Sequence, residues 1–324
     1  MIELPDFISP LEFAQQQMAP GPLLDALLDA ARQLAKHHRL AGELEALPGG
    51  SNFVAGVGPW NVIKIFPPFQ RYQWEAEVRV LKALSAQSLP LTLPQFRADG
   101  EQGAWSYVVM SRLEGRQLES LLWPSLPEAT RCGLLTEIGS VMRAMHALPA
   151  TALPALDPPW ELFWSHQRER CLEHHRRQGL PEQLLNDLPA WLEAHVSELA
   201  ELGPRVLLTG EYTPENLLVK QHEGGWKLTG MFDFADSMLG PARYDWLGPI
   251  CFLVQGKRPR LEAFLSGYGA KPANDAAKEA APGAEILSYL LLHRYSNPRL
   301  QLRIPHWEQA SSLDELAAMI WPEA

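Results

Sequence analysis

Glu211, Asn216 and Asp233 are the residues of this chain on which chemistry can be built. An ionised glutamate can take the proton of an attacking hydroxyl. The amide oxygen of Asn216 and the carboxylate of Asp233 are hard oxygen donors that suit Mg²⁺. That ion takes few protein ligands and leaves positions for substrate phosphates. An acid followed by two metal-holding oxygens describes transfer of a phosphoryl group from a nucleoside triphosphate to a hydroxyl.

Two short strands must bring these groups together. Leu217, Leu218 and Val219 form one apolar run, Gln221 to Gly225 a polar turn ending in glycines, and Trp226 to Phe232 a second run. That pattern predicts an antiparallel hairpin. The start of its first strand lies beside the end of its second, which puts Asn216 and Asp233 at one end. Glu211 sits on the loop leading in, five residues before Asn216.

A second constellation precedes it. Glu43 to Phe66 reads as strand, glycine turn, strand, strand, with Gly49-Gly50-Ser51-Asn52 as the turn. Glycines let backbone amides approach a phosphate closely, so Ser51 and Asn52 are candidates to touch one. Lys64 lies between Ile63 and Ile65 and points to the face opposite theirs. A lysine in an apolar strand needs a partner for its charge. The helix predicted over Gln70 to Ser85 offers Glu75 and Glu77 near its start.

With Thr209-Gly210-Glu211-Tyr212-Thr213-Pro214-Glu215-Asn216 and Met231-Phe232-Asp233-Phe234-Ala235-Asp236, the chain resembles the aminoglycoside phosphotransferase family. That family usually carries H-G-D-x-x-x-x-N followed by a hydrophobic-D segment. Here Thr209 stands for the His and Glu211 for the catalytic Asp. The resemblance implies an α+β, two-lobed, protein-kinase-like fold with a small antiparallel-sheet N-lobe and a mainly helical C-lobe. It implies ATP or GTP as donor with Mg²⁺, and Glu77 rather than Glu75 as the partner of Lys64. It places adenine contacts on the backbone of Ser111 and Leu113, where the predicted strand Trp105 to Met110 runs into Ser111-Arg112-Leu113-Glu114-Gly115. Within the family the likeness is nearest to the hygromycin-B 7''-O-kinases, through Val62 to Phe66, Val109 to Arg112, the helical insert Phe163 to Trp191, Arg243-Tyr244 and the Glu315 to Trp321 ending. An aminoglycoside such as hygromycin B, or a related aminosugar, is then the expected acceptor. Two other readings stay open: a kinase for a non-antibiotic alcohol, and a nucleotide-binding protein that has lost transfer through Thr209 and Glu211.

Composition narrows the classes. The 324 residues are 46% hydrophobic with 11 Trp, enough for a substantial core. A formal charge of −10 argues against a nucleic-acid binder and accommodates a cationic substrate. Cys132, Cys171 and Cys251 form no close pair, which suggests reduced thiols and a cytoplasmic protein. No signal peptide and no apolar run long enough for a membrane span is read. A monomer or weak dimer is expected. The domains are read as 1–112, the nucleotide lobe with a leading helix, and 113–324, the helical lobe with catalytic loop and acceptor site.

Further helices are predicted over Leu23 to Leu40, Leu126 to Leu148, Trp160 to Arg177, Leu180 to Leu202 and Ala284 to Tyr295, with a last one opened by the capping box Ser312 to Glu315. Lys271 to Ala284 reads as loop or weak helix. His37-His38 and His174-His175 read as solvated helix surface, and His146 as a packed histidine. Asp245 reads as a cap or loop-fixing residue at the start of a helix. Asp236 either fixes its loop or faces the substrate. Glu161, Glu169 and Glu173 on the insert are candidates to meet a polyamine sugar.

Overall fold

The computed structural model describes residues 4–48, 50–119, 122–196, 204–210, 212–270 and 282–322. Gly49, Glu211 and most of the Lys271 to Ala284 stretch lie outside the described residues. The chain divides into two compact units. The first comprises Met1–Ser88, Thr92–Glu114 and Phe232–Asp236, and the second the remainder. The segment carrying Asp233, which lies within 113–324 in the domain reading of the sequence, thus groups with the N-terminal residues.

The first unit opens with helix α1, Pro10–Gln16, which the sequence reading did not anticipate. Ser9 caps it by accepting from the Glu12 amide, and Pro10 fits the first turn, where no amide donor is needed. Phe13 anchors it between Phe69 and Trp105. Helix α2, Pro22–His37, follows. Strands β1 (Leu44–Leu47), β2 (Phe53–Val57), β3 (Asn61–Phe66), β4 (Phe96–Gln102) and β5 (Trp105–Ser111) form one antiparallel sheet in the order β1-β2-β3-β5-β4. Its alternation separates two faces. Phe53, Ala55, Ile63, Ile65 and Val109 join Leu27, Ala30, Ala31 and Leu34 of α2 in one core, which leaves Lys64 on the opposite face. Helix α3, Arg71–Leu84, connects β3 to β4.

In the second unit, β6 (Arg116–Gln117), β8 (Leu217–His222) and β9 (Gly225–Met231) form a small sheet. Strand β7 (Arg205–Leu208) pairs with β10 (Met238–Pro241) in a separate ribbon. The rest is helical: α4 (Glu128–His146), α5 (Trp160–Gln178), α6 (Glu182–His195), α7 (Arg258–Tyr268), α8 (Pro282–Leu291), α9 (Pro298–Gln301) and α10 (Leu313–Ile320). Helices α4 and α7 cross on glycines. A Cβ at Gly139 would strike the Phe264 carbonyl, and one at Gly267 the Thr136 carbonyl. This close approach lets the Ser140 hydroxyl bond the Gly267 carbonyl at 3.2 Å. The helix expected near Asp245 is present: it begins as a 3₁₀ turn, Ala242–Trp246, and runs on into a π-helix, Pro249–Val254. At α10, Ser312 accepts from the Glu315 amide as the capping box requires. The Glu315 carboxylate, however, turns to the Ser311 amide and hydroxyl rather than to Ser312.

His175 corrects the solvated reading of its pair: it is fully buried. Its Nε2 donates to the Leu291 carbonyl at 2.8 Å, and its buried Nδ1 has no partner among the described residues. His174 also turns inward, to the Ser296 carbonyl. A second proton on His175 would therefore put a charged N–H against nothing that accepts it. Burial, opposed by the Leu291 bond and aided by His174, pushes its pKa from 6.5 to about 4. The unfolded ring binds a proton below about pH 6.5 and the native ring only near 4. Stability present above pH 6.5 is thus lost as pH falls toward 4, on the order of 3 kcal/mol from this residue. Thermal melts of the wild type and of His175→Gln between pH 7.5 and about 4.5 should show a shallower acid loss in the variant. Parallel curves would place the acid sensitivity elsewhere.

Candidate active site

An ion triad stands at the centre of the first unit. Lys64 Nζ lies 2.7 Å from Glu77 Oε2 and 2.9 Å from Asp233 Oδ1. Strand β3 aims the lysine at the face away from the α2 core, and α3 presents Glu77 to it from a buried position. Glu75, the other candidate on α3, instead pairs with Arg71 and Arg79 at the surface. Burial works against the Lys64 charge, but Asp233 and Glu77 outweigh it and hold its pKa above the ordinary lysine value. Glu77 is harder to ionise than a free glutamate. Its desolvation and the nearby Asp233 charge raise its pKa, against the pull of Lys64. Two carboxylates thus share one ammonium, leaving excess negative charge that a bound cation would offset.

Asp233 adopts φ +71, a left-handed conformation uncommon for any residue but glycine. The next amides are drawn in around it. Phe234 N points to Glu77 Oε1 at 3.5 Å, and Ala235 N to Asp233 Oδ1 at 3.4 Å. Asp233 Oδ2 has no partner among the described residues, and the side chain is 30% exposed. A hard carboxylate oxygen held open in this way fits Mg²⁺. Among the described residues no group of three or more His, Cys, Asp or Glu side chains could hold a metal. Magnesium bound through one or two protein oxygens and substrate phosphates does not require such a group.

Asp236 turns back to α3, where Gln73 Nε2 lies 3.2 Å from both of its carboxylate oxygens. Gln73 and Glu77 are four residues apart on one helical face. Together they contact both ends of the Asp233–Asp236 segment. Sequence reasoning missed Gln73, although its i−4 spacing from Glu77 was there to be read. At the end of β5 the Ser111 amide already donates to the Gln95 carbonyl at 2.9 Å, so what Ser111 can offer an adenine is its carbonyl. Ser51 is exposed and Asn52 buried at the turn before β2.

In the second unit, Leu217 pairs with Met231, so the chain enters the hairpin after Asn216 at the end where it leaves toward Phe232. Asn216 is buried, in a turn closed by its amide on the Thr213 carbonyl at 3.1 Å. Gln117 holds the neighbouring Glu215 carbonyl at 2.7 Å. Glu211 lies outside the described residues, but the backbone leading to it is tied down. Asp245 accepts from the Thr209 amide at 3.0 Å and the Gly210 amide at 2.9 Å. His146 Nε2 lies 3.1 Å from Asp245, and its Nδ1 lies 3.0 Å from the Tyr268 hydroxyl. A carboxylate can only accept, so Nε2 carries the proton and Nδ1 accepts from the tyrosine. Asp245 is therefore loop-fixing and His146 packed.

The insert acids are largely engaged. Glu161 pairs with Arg205 at 2.7 Å, and Glu173 with Arg176 and Arg177 of its own helix. Ser165 lies 3.5 Å from Glu169. Helix α5 carries four arginines against these three glutamates, so it is not an acidic face.

The profile of the phosphotransferase enzyme family matches residues 43–281, more than half of the chain. Several solved structures share the fold. The GDP complex of wild-type aminoglycoside 2'-phosphotransferase-IIIa is 16% identical with a TM-score of 0.65, over 90% of this chain and 98% of that one. The streptomycin–ATP ternary complex of APH(2")-IIa is 16% identical with a TM-score of 0.57, over 81% and 89%. The macrolide 2'-phosphotransferase MphH from Brachybacterium faecium is 19% identical with a TM-score of 0.56, over 93% and 99%. The fold is the kinase-like one of these enzymes, with a small antiparallel sheet and a largely helical remainder. No helix among the described residues is long and apolar enough to cross a membrane.

Proposed function

Since the chain belongs to the phosphotransferase enzyme family, we propose that it transfers the γ-phosphoryl group of ATP or GTP to a hydroxyl of an aminoglycoside, such as hygromycin B, or a related aminosugar. Phosphorylating a drug in this way is a resistance reaction. The observation that carries the reading is the Lys64–Glu77–Asp233 triad, with Lys64 and Glu77 buried and Asp233 partly open, which fits a donor phosphate beside a divalent cation. Lys64, held by Glu77, positions the donor phosphates. The Ser51 and Asn52 amides meet phosphate oxygens, and the Ser111 carbonyl and Leu113 backbone meet the base. Asn216 and Asp233 hold Mg²⁺, which when bound neutralises charge on the donor phosphates. Glu211 orients the acceptor hydroxyl and takes its proton. Catalysis in this arrangement is mostly positioning and charge neutralisation. Relatives crystallised with GDP and with ATP support either donor.

A second reading of the acceptor has its own observation. With Glu161 and Glu173 paired and α5 bearing more arginine than glutamate, the insert offers little to a polycation. An alcohol of low charge is the alternative. It accords with the likeness to a macrolide phosphotransferase. The deciding experiment is ATP consumption with hygromycin B, kanamycin, a macrolide and small neutral alcohols, at low and high salt. An aminoglycoside acceptor predicts turnover of the first two with KM rising as salt screens exposed ion pairs over about 8–10 Å. Turnover of the macrolide or a neutral alcohol alone would move the acceptor to the second reading. No consumption with any acceptor, despite ATP binding, would favour a protein that has lost transfer.

A further inference from the structure

We propose that Gln17 and Gln70 are positioning residues for the donor phosphates, because by holding two carbonyls of the 50–52 turn they leave its Ser51 and Asn52 amides turned away from them as an anion nest. The inference rests on the reading of this turn as a phosphate contact. Gln17, at the end of α1, sends Nε2 to the Gly50 carbonyl at 3.3 Å. Gln70, just before α3, sends Nε2 to the Ser51 carbonyl at 3.3 Å. Two side chains from distant parts of the chain thus hold two consecutive carbonyls.

Peptide geometry supplies the consequence. In a planar trans peptide the carbonyl and the following N–H point in opposite directions. With the Gly50 carbonyl turned to Gln17, the Ser51 amide must point away. With the Ser51 carbonyl turned to Gln70, the Asn52 amide must point away too. Neither amide has a hydrogen-bond partner among the described residues. Successive backbone amides presented together are an anion-binding concavity. Gly50, at φ +88, allows the turn a conformation that a side chain would resist.

Both glutamines are more than nine-tenths buried, at 7% and 8% exposure, and Asn52 beside them is at 3%. The side-chain oxygens of all three are buried with no partner among the described residues. Burying an amide with half its capacity unmet is costly, and a leucine or methionine would fill either place without that cost. What the glutamines supply and an apolar residue would not is the donor to the turn carbonyl. Gln17 also lies outside the segment 43–281 that matches the family profile, so α1 brings to this chain a support that the family pattern does not specify.

The test compares ATP with adenosine, which lacks phosphates. In calorimetry with Mg²⁺, Gln17→Met and Gln70→Met, which keep length and lose the donor, should each weaken ATP binding about 10-fold and leave adenosine affinity unchanged. In turnover the loss should appear in the KM for ATP, with kcat little altered. An unchanged ATP-to-adenosine affinity ratio would overturn the proposal. So would an equal loss for both ligands, which marks a merely structural role. A measurement on the wild type avoids any folding defect in the variants. Inorganic tripolyphosphate added to ¹⁵N-labelled protein should shift the Ser51 and Asn52 amide resonances before others in the sheet. No shift at either would overturn the clamp. If the wild-type protein binds no nucleotide at all, the function itself is misread. Nucleotide binding with an unaltered ratio in the variants removes the glutamines alone.

Discussion

Asp233→Asn should bind ATP with the same affinity in Mg²⁺ and in a chelator, whereas the wild type should bind more tightly with the metal. Turnover should fall by about 10²–10³-fold, the range for removing one preorganised electrostatic contact. The substitution is well suited to the question. Asparagine is among the few residues that accept the left-handed conformation Asp233 holds at φ +71. It keeps an oxygen toward Lys64, whose buried charge retains Glu77 at 2.7 Å. The fold should therefore survive, and the loss should report the carboxylate. Titration calorimetry with and without Mg²⁺ measures the first effect, and steady-state turnover the second. Undiminished metal-dependent tightening in the variant would remove Asp233 as a metal ligand. Lys64→Met should behave differently. It leaves buried Glu77, with the partly exposed Asp233 beside it, without their cation, a destabilising change, so its melting temperature should fall together with its activity.

What the sequence showed of this site followed from periodicity. A period of two put Lys64 on the face opposite Ile63 and Ile65, and the strand runs on either side of Gln221–Gly225 announced the hairpin. Such signals are local, because backbone geometry repeats every two or 3.6 residues. The features that escaped depend on distant partners. Nothing around His175 distinguishes it from His37, and its partners, the Leu291 carbonyl and the Ser296 hydroxyl, lie far along the chain. Glu161 and Glu173 look alike as free acids until Arg205 and the arginines of α5 are placed beside them. Helix α1 is too short to show a convincing apolar period. It is fixed instead by the Ser9 cap and by the contact of Phe13 with Trp105. The β7–β10 ribbon has only four residues on each side and needs its partner to be recognised as strand. The grouping of Phe232–Asp236 with the N-terminal residues follows from contacts with Lys64, Gln73 and Glu77; the i−4 spacing sets Gln73 beside Glu77 on one helical face, but the segment they meet lies far along the chain.

Glu211→Gln should lower turnover by about 10²–10⁴-fold, the range for losing a general base, while ATP affinity changes little. The glutamine keeps the length and hydrogen-bonding shape of the side chain and loses only its charge and basicity. The sharper variant is Glu211→Asp, which restores the residue usual at this position of the family motif. The backbone entering this residue is held by Asp245 through the Thr209 and Gly210 amides, and Asp245 is held by His146. With Thr209 and Gly210 held, the shorter aspartate side chain should leave its carboxylate short by about one carbon–carbon bond. A misplacement near 1 Å can cost about 10²-fold. Glu211→Asp should therefore be impaired although it looks like a return to the family pattern. His146→Gln combined with Glu211→Asp should recover part of that loss, because a loosened Asp245 lets the turn move. Rates of the three variants, measured with one confirmed acceptor at saturating ATP, separate the possibilities. Full turnover in both Glu211→Gln and Glu211→Asp would show that Glu211 is not the base. Full turnover in Glu211→Asp alone would show that the carboxylate matters and its reach does not.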